Sequence, residues 1–71
     1  MLQNSISNYV FIQHVSSNVF KAVMRQLPKG EFVSHAVYLK QLAAQTPHNT
    51  RRAMYIRNLQ WCQNYYRSKW G

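Results

Sequence analysis

The side chains of this chain best suited to chemistry are hydrogen-bond donors and cations. Residues 48–52 read His48, Asn49, Thr50, Arg51 and Arg52, with Arg57 shortly after and Arg67 and Lys69 near the end. A guanidinium is a planar fork of N–H groups that matches two phosphate oxygens, or the two acceptors on a guanine edge. An Asn amide does the same with adenine. The pattern points to contact with phosphates and base edges rather than to bond-making. General acid–base work needs a pair of titratable groups, and Glu31 is the only carboxylate side chain. Cys62 is the only cysteine, so no internal disulfide is expected and a buried, apolar role is. A reactive thiol needs a nearby base, and no His lies close to it in sequence. His14, His35 and His48 are far apart and make no metal spacing with Cys62. The expectation is a binding protein, without catalytic residues, metal or cofactor.

The ligand class follows from charge. Nine Lys and Arg face one acidic residue, a formal net charge of +8 on 71 residues. Such an imbalance points to a polyanionic partner. All nine cations fall between Lys21 and Lys69, and the first twenty residues contain no charge. Residues 1–18 therefore read as an uncharged segment for packing or dimerising, and residues 1–20 as the natural contact for a second copy or a partner protein. The longest apolar run there, residues 9–12, is too short for a signal sequence or a membrane span. No membrane span is expected, and a cytoplasmic or nucleoid-associated location is. The length suits one domain, residues 1–71, whose small core contributes only about 3–5 kcal/mol net.

The elements that must position these donors are read from periodicity. Val19, Phe20, Val23, Met24 and Leu27 recur on one helical face, with Lys21 and Arg25 as an i, i+4 pair on the other side. This predicts a helix over 19–27 capped by Ser16, Ser17 or Asn18. Residues 9–14 fit either an upstream extension of it from about residue 5 or a strand. Pro28, Lys29 and Gly30 predict a stop and turn. Residues 31–33 are expected to be extended, and Ser34 to cap a second helix over 35–45. That helix would face inward through Val37, Tyr38, Leu42 and Ala43, with Leu39 at the edge. Thr46 is expected to cap a third helix with Pro47 at its first position, running over about 48–61 or further, with the tail 62–71 as a helix extension, a wing or a disordered arm. A helical wheel places Tyr55, Ile56, Leu59, Cys62 and Tyr66 on one side. Arg57, Gln60 and Asn64 lie opposite, with Ala53 towards them. The tail brings together Trp61, Tyr65, Tyr66, Arg67, Lys69 and Trp70. Trp61 and Tyr65 are expected to complete the core; the other four suit a wing, a dimer contact or a membrane-surface patch.

Residues 39–59 resemble a helix-turn-helix. In that family Ala43 would be the small residue at the helix crossing, preceded by apolar Leu39 and Leu42. Ala53 and Ile56 would face inward from the second helix, which enters the DNA major groove. Over 19–59 the chain also resembles the winged-helix variant, with residues 32–33 as its short strand. Residues 27–34 are similar to the lead-in of such domains, including the DNA-binding half of alkylguanine transferases. The reactive Pro-Cys-His-Arg of those enzymes is absent. The resemblance implies a mainly α, small three-helix helix-turn-helix fold and a duplex DNA partner. It further implies a regulator or accessory factor of the kind common in phages and mobile elements, working as a homodimer because one recognition helix reads a half-site. His48, Asn49, Thr50, Arg51, Arg52, Arg57, Arg67 and Lys69 are the expected DNA-binding residues. Loss of Arg52 is expected to flatten the salt dependence of binding by about one unit. Two alternatives share the charge argument: an inhibitor or adaptor docking on an acidic or nucleic-acid-binding surface of a larger complex, and an RNA-binding protein using the aromatic tail.

Overall fold

The computed structural model describes residues 16–47 and 49–71, and in them the fold is mainly helical. Three helices follow in order: α1 Ser17–Arg25, α2 Lys29–Gln45 and α3 Thr50–Trp70. No strand occurs among the described residues. The choice between strand and helix at 9–14, and any contact made by residues 1–15, lie outside them.

The α1 helix begins where Ser16, in an extended conformation, accepts the Val19 N–H on its hydroxyl at 3.3 Å. Arg25 in its last turn complements the helix dipole. Phe20 and Met24, one turn apart, are fully buried.

The start of α2 differs from the expectation of a turn and an extended stretch. Pro28 itself is the N-cap, and Lys29 and Gly30 are already helical. A proline has no N–H to leave unpaired and its fixed φ suits a helix entrance. Residues 31–33 are therefore helical, and the winged-helix strand expected at 32–33 is not formed. Ser34 is an exposed residue inside the helix instead of its cap. Phe32 provides the driving force. It starts a buried stripe of Phe32, His35, Leu39 and Ala43 at helical spacing. This rotates the inward face relative to the sequence reading. Leu39 is at its centre with 0% exposure, while Val37 is 49% exposed.

The linker at 46–49 also departs from expectation. The Thr46 hydroxyl donates backwards to the Leu42 carbonyl at 2.6 Å and closes α2. Thr46 is thus a C-cap, and it is Asn49 that caps α3, accepting the Arg52 N–H at 3.1 Å. Pro47 lies between the helices rather than in the first turn of α3. In an unbroken helix the Ala43 carbonyl would bond the N–H of residue 47, and Pro47 has none. The Arg52 Nε–H supplies the missing donor at 3.1 Å. One side chain from the start of α3 thereby completes the end of α2.

The α2–α3 pair is an antiparallel hairpin. Phe32, near the start of α2, meets the rings of Tyr65 and Trp70 near the end of α3, at 5.4 and 5.2 Å between centroids. Ala43 and Arg52 close the other end. The α1 helix lies across the middle, with Phe20 edge-on to Trp61 at 6.2 Å and the Ser17 hydroxyl donating to Oδ1 of buried Asn58 at 3.0 Å. Phe20, Met24, Phe32, Leu39, Ala43, Tyr55 and Cys62 form the core. Buried His35 is held by its Nδ1–H donating to the Glu31 carbonyl at 2.8 Å. No helix among the described residues is long and apolar enough to cross a membrane.

Candidate nucleic-acid interface

The third helix runs unbroken to Trp70, so of the courses open to the tail it takes the helix extension. At 1.5 Å per residue its 21 residues are about 31 Å long. It buries Tyr55, Asn58 and Cys62, spaced i, i+3, i+7. The two residues expected inward from the family resemblance are outward: Ala53 is exposed and Ile56 is 39% exposed. Tyr55, Asn58 and Cys62 take the inward positions instead, so the helix is rotated relative to that expectation. Its outer face carries Thr50, Ala53, Arg57, Gln60, Asn64 and Arg67, all exposed. No carboxylate occurs anywhere in the helix.

The expected DNA-binding residues do not form one cluster. Asn49, Thr50 and Arg51 are exposed together at the first turn, with the Asn49 side-chain oxygen engaged in the cap. Arg57 is exposed two turns further along the same outer face as Thr50. Arg52 is half-buried and holds the Ala43 carbonyl. Arg67 and Lys69 are exposed at the far end, Lys69 about 27 Å from Arg51 along the axis. His48 lies outside the described residues.

A second group of cations gathers along the rings that run from Trp61, in the middle of α3, to Trp70 at its end. Trp61, Tyr65, Tyr66 and Trp70 are half-buried and pack on Phe32 and on one another. Trp61 and Tyr65 stack at 5.0 Å and 16°, Tyr65 meets Trp70 edge-on at 6.1 Å, and Tyr66 meets Trp70 at 5.4 Å. Lys21 and Arg25 of α1 stand over Trp61 at 6.0 and 5.5 Å. Lys29 of α2 stands over Tyr66 at 5.6 Å. Lys69 of α3 lies over Tyr65 and Trp70 at 5.6 and 5.4 Å and donates to the Tyr65 hydroxyl at 3.3 Å. Only the i, i+4 spacing of Lys21 and Arg25 is visible in sequence. That they share a ring with the tail depends on how α1 crosses α3.

Next to these rings, α2 and α3 enclose an open groove of about 470 Å³. Val33, Val37, Leu59 and Tyr66 line it, and Lys40 and Arg67 stand at its edge. Cys62 also borders it, but burial pushes its thiol from the ordinary 9.0 up to about 12, which keeps it protonated and unreactive at neutral pH. Phosphates on the cationic ends and an apolar side chain in the groove are what these surfaces can hold. Compared with protein-family models, with curated proteins and with solved structures, the chain matches none.

Proposed function

We propose that this chain is a small nucleic-acid-binding protein that presents α3 to duplex DNA. In this reading α2, the linker at 46–49 and α3 act as a helix-turn-helix unit of a regulator or accessory factor. The observation that supports it is the first turn of α3 together with its outer face. Exposed Asn49, Thr50, Arg51 and Arg57 lie along a helix with no carboxylate to mask them. A solvated helix face normally mixes both charge signs. Arg51 and Arg57 neutralise phosphates; Thr50 and the free amide edge of the first turn reach base edges. A second copy would supply the other half-site.

The test is a titration against random duplex DNA at roughly 50 and 200 mM salt, with the solution mass measured in parallel. Tight binding at the lower salt is expected, with a log–log slope that falls by about 0.9 for each of Arg51→Gln and Arg57→Gln. Absence of binding at the lower salt refutes the reading. RNA recognition by stacking on the tail is disfavoured, because those rings already pack on Phe32 and on each other. The adaptor reading is favoured by one feature, the apolar groove edged by Lys40 and Arg67, which suits an acidic amphipathic helix. Recovery of one acidic protein in the absence of DNA, blocked by Val37→Glu, would select it.

A further inference from the structure

We propose that Lys21, Arg25, Lys29 and Lys69 form a second phosphate-binding surface, which grips the backbone of the nucleic acid by charge without reading its bases. The ligand class rests on the nucleic-acid reading above, while Lys21, Arg25 and Lys29 are new to it and Lys69 stands apart from Arg51 and Arg57. All three helices contribute to this surface, and their cations stand over one continuous group of rings.

The manner in which these cations are held is the argument. A salt bridge would fix a Lys or Arg side chain but cancel its charge. An aromatic face fixes it through the ring quadrupole and leaves the charge intact. Restricting the side chains in advance reduces the entropy lost when phosphates arrive. The chain's only carboxylate side chain, Glu31, is two residues from Lys29 and so about 200° away around α2. It cannot neutralise four cations spread over three helices. Four like charges on one end repel each other in the free protein, and a polyanion removes that repulsion. The ring faces are taken up by one another and by the cations, so the surface offers charge and no platform for stacked bases. The ligand it fits is a sugar-phosphate backbone.

The structure carries its own reporter. Trp61 and Trp70 are the only two tryptophans of the chain, and cations of the surface lie over both. Inorganic polyphosphate, which has no bases and no grooves, is the probe. Polyphosphate and duplex DNA are both expected to change tryptophan emission saturably. The variant Lys21→Gln, Arg25→Gln, Lys29→Gln, Lys69→Gln is expected to lose that response. Its salt slope for DNA should fall by about 3–4, so that the affinity lost between roughly 50 and 200 mM salt shrinks about 100-fold. Arg25→Gln or Lys69→Gln alone, in case the fourfold variant does not fold, should each lower the slope by about 0.9. An unchanged slope in these variants, with the slope still reduced by Arg51→Gln and Arg57→Gln, overturns the second surface and leaves the first. The reverse result keeps the second surface and removes the outer face of α3 as the contact. A tryptophan response to anionic vesicles but to neither DNA nor polyphosphate overturns the proposal in favour of a membrane surface.

Discussion

Removal of Arg52 separates two roles that one cation in the first turn of α3 can play. If Arg52 chiefly completes α2, the cost of Arg52→Met is the loss of a charge-assisted hydrogen bond to a carbonyl on buried Ala43. Such bonds contribute about 1.5–3 kcal/mol, and the half-buried position of Arg52 favours the lower figure. For a domain of this size about 1.5 kcal/mol lowers Tm by roughly 6–12 °C. Met keeps an apolar stem of similar length, so the change removes the guanidinium and spares the packing of the stem. Arg51→Met, one residue earlier and exposed, should leave Tm nearly unchanged and reduce the salt slope of DNA binding by about 0.9. Arg52→Met should lower Tm and leave the slope nearly unchanged, in place of the loss of about one unit that the sequence leads one to expect, because the Arg52 Nε–H is committed to Ala43. A second substitution tests the cause. Pro47→Ala lets Thr46 leave its extended conformation and continue α2, which gives the Ala43 carbonyl a backbone N–H, so Arg52→Met should cost less in that background, with a coupling of about 1 kcal/mol. The assay is thermal unfolding of all four proteins of the cycle by circular dichroism at 222 nm. Additive losses, or an Arg52→Met protein as stable as wild type, would refute the account of the hairpin end.

Two further outcomes follow from the core. Phe32→Ala should cost about 3–5 kcal/mol, comparable to the whole stability of so small a domain, and leave the chain largely unfolded with its tryptophans exposed; a cooperative melt near the wild-type temperature would contradict the ring packing. Cys62 holds its proton more tightly folded than unfolded, so its contribution is intact below pH 9 and is lost as pH rises from 9.0 towards about 12. Cys62→Ala should show a shallower loss of stability over that window, measured by denaturant unfolding at paired pH values; parallel pH profiles would contradict a buried thiol.

The helical class and the first helix are legible in sequence because α1 is amphipathic over its whole length and Ser16 is an ordinary cap. The start of α2 is not, because Pro28, Lys29 and Gly30 have the composition of a turn. Only the burial of Phe32 among four rings of α3 makes a helix worthwhile there. The caps at 46–49 are obscured by a similar ambiguity. Thr46 can cap forwards or close backwards, and local sequence does not decide which carbonyl needs its hydroxyl. The outward placement of Ala53, Arg57 and Asn64 follows from the helical wheel, since those positions are spaced by whole turns. Ile56 misleads because it is apolar yet stands off the buried stripe. The second cationic end is beyond sequence reasoning, since its four residues are separated by up to 48 positions and meet only through tertiary packing.

The unbroken course of α3, which has neither Gly nor Pro, makes it a caliper of fixed opening. Arg51 and Lys69 are eighteen residues apart, which is five whole turns, so they stand about 27 Å apart and in phase, on the side of the rod whose middle is filled by buried Tyr55, Asn58 and Cys62. Neither end can be moved without carrying the other. A helix-breaking residue placed between them would release the two ends from each other and open the core in the same step.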